Sequence, residues 1–352
     1  MRIERIEYFK VFIPWQASYR EAMRRWRAAA HTTPEEEDAY VIVKVFTDDG
    51  LVGIGEGDRS LTTTQQQGER LLGKSPLELD PWKLGRPWAH ACFDLIGKAL
   101  GVPMYRLLGT KVHGRVPFAF WSPYEAPEQT ARHAEEGVAR GFKVHKIKAR
   151  PWDAVEQVKA IHAAAGPEYA VRIDPNCTFE QPAAAVRIAR QLEDYNVECL
   201  EDPVTQTRPE WNRLIREKTT IPVALHHSDP ANVLRHIKAE AIDYLNVGGT
   251  VERVFRAAHL AEAAGIPIWL QLEGHCYDIQ TAFNLHLNAV LPNAILPQDT
   301  LPFLREASVV TEPLWPVDGY VAVPERPGLG IELDEAAVAR YCVGTAACGA
   351  AA

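Results

Sequence analysis

Four short apolar stretches in the middle of this chain finish, one after another, on side chains that can do chemistry. They end Lys146-Ile-Lys148, Asp174-Pro-Asn176, Glu201-Asp-Pro203 and His226-His-Ser228. From Lys148 to Asp174, Glu201 and His227 the steps are roughly 26 residues each, about one strand-plus-helix unit of a barrel. On neighbouring parallel strands, that regularity sets all four ends at one height. Lys146 and Lys148 are two apart, so both ammonium groups face the same way. Two like charges side by side disfavour each other, which lowers a lysine pKa and makes a candidate general base. Asp174 and Glu201 supply hard oxygen donors suited to Mg²⁺ or Mn²⁺. An ion held there would stabilise the charge that develops on a substrate carboxylate as its α-carbon loses a proton. Taken singly, a Lys-x-Lys strand is more often solvated surface, and a strand ending on Asp or Glu is commonplace. The four in register are the signal.

Such ends need a frame of strands alternating with helices, and the sequence supplies one. Candidate strands fall at 116–119, 143–148, 170–174, 197–201, 223–225, 243–246, 267–271 and 294–296. They recur roughly every 25–28 residues, apart from a sixth that follows the fifth closely, and eight of them point to a barrel rather than an open sheet. Residues 1–112 read differently, as strands followed by helices, the pattern of an α+β unit. Tyr40–Phe46, Asp48-Asp49-Gly50 and Leu51–Ile54 predict a hairpin with an Asp-Gly turn. Gly53-Ile-Gly55-Glu-Gly57 lacks the spacing of a nucleotide loop. The expected division is a capping domain over 1–112, a barrel over 113–311, a segment over about 312–341 that returns to the cap, and a disordered tail over 342–352.

Composition narrows the partners. The 352 residues are 47% apolar and 24% charged, enough for a sizeable core and ordinary for a globular protein. A formal charge of −8 argues against general nucleic-acid binding, which needs a basic footprint. It leaves a small anionic carboxylate open as substrate, because charge inside a cleft can oppose the net sign. No secretory signal pattern and no run of roughly 20 apolar residues is present. Six cysteines scattered without a CxxC pair suit reduced thiols in a cytoplasm. The expectation is a cytoplasmic homo-oligomer with neither nucleic-acid nor membrane partners.

The motifs together carry a resemblance. Lys146-Ile-Lys148, Arg172-Ile-Asp174-Pro-Asn176, Leu200-Glu201-Asp-Pro203, Gly248-Gly249 and Pro327-Gly-Leu-Gly330 resemble the mandelate racemase/muconate lactonising branch of the enolase superfamily. Asp94–Gly101 and Tyr105–Gly109 are similar to that branch's helical signature. The resemblance covers roughly residues 1–341. It implies a modified (β/α) barrel under an N-terminal α+β cap, a lysine base, and a divalent metal, Mg²⁺ in the family.

Three departures bear on what the resemblance implies. The third metal ligand of the branch is a carboxylate after the fifth barrel strand; here His227 falls at the position of the usual Glu and His226 at that of the usual Asp. With His227 as third ligand, Asp174, Glu201 and an imidazole would suit Mn²⁺, Fe²⁺ or Zn²⁺; alternatively the site has lost its metal. Asp243-Tyr-Leu-Asn246 runs almost directly into Gly248-Gly249, so the catalytic Lys or Asp that relatives carry in between is missing. Gln271 stands where racemase-like relatives place a histidine, and Glu273, His275 and Tyr277 follow, with His275 a candidate acid. Asn176, Gln271 and Glu273 are candidate substrate contacts. Arg20, Arg24 and Arg27 share one helical face that could grip an anion, or be solvated. Three functions fit: dehydration of a sugar acid or related hydroxy acid, with Lys148 as base helped by Lys146; a racemase, epimerase or cycloisomerase of a carboxylate; or a non-catalytic or metal-independent barrel. The missing opposite base favours the first.

Overall fold

The computed structural model of the protein describes residues 1–29, 39–271, 276–299 and 302–349. Its first part holds strands β1 (Ile3–Val11), β2 (Tyr40–Thr47) and β3 (Val52–Gly57), with helices α1 (Ala17–Ala29), α2 (Leu61–Glu69) and α3 (Trp88–Leu100). β2 and β3 pair antiparallel across the Asp-Gly turn, where Gly50 takes φ +84°. The β2 run Tyr-Val-Ile-Val is buried on both faces. Val41, Val43 and Val45 pack with Trp88 and Leu95 in the cap's own core, whereas Ile42 joins the core shared with the barrel. Gly55 lets β3 lie against α3: a Cβ there would stand 2.2 Å from the Pro87 carbonyl oxygen. The Gly53–Gly57 run is thus a packing device.

The barrel strands are β4 (Arg115–Ser122), β5 (Val144–Lys148), β6 (Ala170–Asp174), β7 (Val197–Glu201), β8 (Val223–His226), β9 (Tyr244–Val247), β10 (Ile268–Leu270) and β11 (Gln298–Asp299). All neighbours pair parallel in the order β10-β9-β8-β7-β6-β5-β4-β11, a nearly closed eight-stranded barrel. Helices α4 (Pro127–Ala139), α5 (Ala154–Ala165), α6 (Pro182–Arg190), α7 (Pro209–Lys218), α8 (Pro230–Lys238), α9 (Val251–Ala263) and α10 (Asp278–Asn288) lie between them. Four of these helices open on a proline, whose missing N–H costs nothing at that position. No helix among the described residues is long and apolar enough to cross a membrane.

Two expectations need correcting. The eighth strand is not 294–296 but Gln298–Asp299, a polar pair with no apolar signature. Residues 342–349 are not a loose tail. After β12 (Tyr320–Ala322), which pairs antiparallel with β4, and α11 (Glu335–Tyr341), they form β13 (Cys342–Gly349). β13 pairs antiparallel with β1 and makes the first sheet four-stranded, in the order β13-β1-β2-β3. Ala-, Gly- and Cys-rich composition hid it, because the strand sits at an edge and only half-buries alternate small residues. The segment before it reaches the cap, where Leu329 N–H donates to Asp94 (2.8 Å).

Candidate active site

Side chains alternate along a strand, so period two decides which residues enter the barrel. Inside, Cys199, Ala224 and Trp269 pack together and the Arg172 guanidinium stacks 3.8 Å from the Trp269 ring. Two residues beyond each of these, at the carboxyl ends, come Glu201, His226, Gln271 and Asp174. Lys146 and Lys148 on β5 and Asn246 on β9 enter the same space.

The charges there are paired at close range. Lys146 Nζ lies 2.7 Å from Asp299 Oδ2, 2.7 Å from Glu201 Oε2 and 3.4 Å from Asp174 Oδ2. Lys148 Nζ lies 2.5 Å from Asp174 Oδ2. Arg172 donates to Glu198 (2.7 Å) and Asp299 (3.2 Å), which fixes Asp299 from below. On the far wall, Asn246 Nδ2 donates to Glu201 Oε1 and Gln271 Oε1, both at 2.8 Å. Asp174 Oδ1 accepts the Asn176 N–H (3.0 Å), with the Asn176 side chain exposed at the rim and its φ at 49°.

Electrostatics overturns one expectation. The two lysines do not weaken each other's charge at Lys146. Burial opposes its ammonium, but the carboxylates of Asp299, Glu201 and Asp174 outweigh burial and raise its pKa above the ordinary lysine value. Burial likewise opposes the Asp174 carboxylate, and Lys148 and Lys146 overcome it and hold that group below the usual carboxylate range. Lys146, 2% exposed, is a fixed buried cation; Lys148, at 8%, stands nearer the mouth with one carboxylate partner.

The histidine pair needs a second correction. His227 falls on the outward parity of β8. Its Nδ1 accepts the Asp229 N–H (3.0 Å), and its surroundings are Asp229, His236 and Arg235. His226 points inward, where the charges it meets are those of Glu201, Lys146, Asp174 and Lys148. Equal steps from Lys148 reach His227, whereas the two-residue period of the strand puts His226 on the side of Glu201 and Asp174. Asp202, buried and at φ 47°, accepts the His226 N–H (3.1 Å) and holds that turn.

Other expected positions resolve as follows. Glu273 and His275 lie outside the described residues. Tyr277 is a packing residue whose hydroxyl donates to Val11 O (2.9 Å). Asp243 is structural, bound to Arg216 at 2.5 Å at the foot of the barrel. Arg20 pairs with Glu306 (2.7 Å), and the Arg27 side chain is outside the description. Asp299 and Asn246 were missed as site residues. The strand recurrence carried on from Gln271 reaches Asp299, but an apolar-strand search passes over Gln298-Asp299.

Among the described residues no three His, Cys, Asp or Glu side chains gather closely enough to enclose an ion. The donor chemistry nonetheless fits one. Asp174 and Glu201 end adjacent strands, and both carboxylates converge on the Lys146 ammonium, a positive charge held where an ion would sit beside them. His226 lies on the same side of the sheet, among the charges of Glu201 and Asp174.

The family model described as enolase C-terminal domain-like matches residues 129–337, more than half the chain. The chain belongs to the enolase superfamily. Its relatives are mandelate racemase/muconate cycloisomerase branch members. N-succinyl-L-Arg/Lys racemase of Bacillus cereus is 25% identical over 328 residues, spanning 84% of this chain and 88% of its own. D-xylonate dehydratase of Haloferax volcanii is 28% identical over 367 residues, spanning 86% and 85%. The crystal structure of a dipeptide epimerase from Cytophaga hutchinsonii, complexed with Mg and the dipeptide D-Ala-L-Val, has the same fold. Its TM-score is 0.82 at 20% identity, over 99% of this chain and 100% of that one. This enolase-superfamily chain is an enzyme of lyase or isomerase type, built for proton abstraction.

Proposed function

We propose that this enolase-superfamily enzyme dehydrates a sugar acid or related hydroxy acid. The observation that carries the reading is the wall opposite the lysines, which ends on two amides, Asn246 and Gln271, with Asn246 donating to both Gln271 and Glu201. Amides cannot take a proton at neutral pH, so among the described residues the site has a base on one face of the substrate only. Inverting a carbon by proton transfer needs bases on both faces; elimination needs one base and one acid.

Lys148 is the base, because it stands nearest the mouth and has one carboxylate partner to leave. Lys146, held charged by three carboxylates, is a fixed positive group toward which the substrate's anionic end is drawn. The Cα–H proton passes to Lys148 Nζ, its electron pair moves into the carboxylate, and then returns to expel the β-hydroxyl as water. His275 is assigned the protonation of that hydroxyl on the sequence pattern. Asn176, Gln271 and Glu273 are the assigned substrate contacts. Asp174, Glu201 and His226 would hold a divalent ion, Mg²⁺ by family or Mn²⁺, Fe²⁺ or Zn²⁺ by the imidazole, which supplies further stabilisation of the carboxylate's developing charge.

The test is a panel of sugar acids scored for 2-keto acid formation and, in deuterated water, for exchange at Cα. Lys148→Ala should lose turnover by about 10²–10⁴-fold with its fold intact; unchanged turnover would sink the mechanism. Exchange with inversion and no elimination would favour the racemase or epimerase reading. Neither exchange nor elimination across the panel would favour a metal-independent or non-catalytic barrel.

A further inference from the structure

The Lys146 ammonium stands between two sets of carboxylates. From β6 and β7, Asp174 Oδ2 lies 3.4 Å and Glu201 Oε2 2.7 Å from its Nζ. From β11, on the other side of β5 in the sheet order, Asp299 Oδ2 lies 2.7 Å away and accepts its hydrogen bond. All four groups are buried, so water does not stand in for a lost partner. A buried ammonium stripped of its partners is strongly disfavoured, and its charge has to rest on one set or the other.

Asp174 and Glu201 are the two carboxylates assigned to the divalent ion, and Asp299 is not. An ion on those oxygens takes acceptors that Lys146 now faces, and two positive charges at close range repel. The lysine and the ion therefore compete for Asp174 and Glu201. Asp299 is the acceptor outside that competition.

Asp299 is also the carboxylate fixed from behind. Its Oδ1 accepts from Arg172 Nη1 (3.2 Å) while Oδ2 serves Lys146, so each oxygen has its own cation. Arg172 is in turn held on several sides. Its Nε donates to Glu198 (2.7 Å), its Nη1 to the Pro297 carbonyl (2.9 Å), and its guanidinium stacks on Trp269. The charges of Lys146, Lys148 and Arg172 are met by Asp174, Glu201, Glu198 and Asp299. Asp299 thus gives this cluster one carboxylate more than it has cations, which leaves negative charge at the barrel mouth for an ion.

We infer that Asp299 is a positioning residue for the metal: it holds the Lys146 ammonium so that a divalent ion can take Asp174 and Glu201. The inference rests on the reading of those two carboxylates as ligands. Because Asp299 acts through Lys146, its effect differs from that of a carboxylate whose own charge merely attracts cations.

Calorimetric titration of the full-length protein with Mn²⁺ tests it, with the fold of each variant followed by circular dichroism. Asp299→Asn, an isosteric change, should weaken Mn²⁺ binding about 10–100-fold, the range for groups just outside a metal's ligands. Asp299→Ala takes its place, with the same expectation, if the isostere does not fold. Lys146→Met should bind Mn²⁺ more tightly than wild type. In the Lys146→Met background the Asp299 change should cost no more than about threefold, because the competing ammonium is gone. In a Lys148→Met background it should keep its full effect, since Lys148 pairs with Asp174. An equal loss with and without Lys146 would mean that Asp299 acts by its charge alone, and would overturn the inference. Unchanged affinity in the Asp299 variant would do the same, as would binding seen only once Lys146 is removed. Binding by neither wild type nor Lys146→Met would overturn the ligand reading together with this one.

Discussion

His226 ends β8 and His227 follows it, and the two face opposite ways, one toward Glu201 and Asp174 and the other toward the Asp229 loop. If His226 is the third metal donor, its loss and that of its neighbour should separate cleanly. His226→Ala should weaken Mn²⁺ binding by at least about tenfold, while His227→Ala stays within about twofold. His226→Asp should shift preference toward Mg²⁺, because it exchanges imidazole for a hard oxygen. Metal titrations of the three variants would decide it, and the reverse order would return the role to His227. At this scale the sequence displayed residue types well and geometry poorly. Lys146, Lys148, Asp174 and Glu201 were legible because charge at regular strand ends is unusual. The raised pKa of Lys146 was not legible, since it depends on Asp299, a residue 153 positions away.

β5 shows how an element can carry chemistry on one face and packing on the other. Lys146 and Lys148 enter the barrel, while His145 just before them points outward, fully buried against Phe120 and Tyr169, its Nε2 at 2.9 Å from Ser122 Oγ. Burial, helped by the nearby His133, pushes the His145 pKa down to about 3. Unfolding releases the ring to an ordinary value near 6.5, so the unfolded chain binds a proton there that the folded one refuses. Its contribution is therefore fully present above about pH 6.5 and is lost as pH falls toward 3. Between pH 7 and pH 5 wild type should lose about 2 kcal/mol more stability than His145→Leu, by the single-site linkage relation. Parallel denaturant titrations at the two pH values measure the difference, and equal losses would refute the assignment. The element itself was easy to read from sequence, as were β6 and β7, whose predicted bounds match because apolar and β-branched runs end on charge. β11 was not, because it completes the barrel with Gln298 and Asp299, and a strand built to hold a polar network carries no hydrophobic signal.

The whole molecule is tied together by contacts far apart in sequence. Glu56 of β3 caps α10 of the barrel, and Asp94 of α3 accepts N–H groups from Ile54 (3.0 Å) and Leu329 (2.8 Å) and pairs with Lys98 at 2.7 Å. β13 is the last of these ties. It runs in register with β1 from Arg5↔Gly349 to Lys10↔Gly344, shifts before Val11↔Cys342, sets Cys348 Sγ at 3.1 Å from Tyr8 OH, and adds Ala346 and Cys348 to the edge of the cap core. A chain ending at Tyr341 would lose that ladder and leave the β1 backbone groups facing water. Each lost backbone hydrogen bond is worth about 0.5–1.5 kcal/mol net, so a ladder of this length should cost on the order of a few kcal/mol. Thermal unfolding of the truncated chain should begin several degrees lower. The bared edge should also promote association at high concentration. The barrel site lies on other strands, so activity per folded molecule should survive at low temperature. An unchanged melting curve would mean that β13 adds nothing to the cap; lost activity with an unchanged melt would tie the strand to the active site instead.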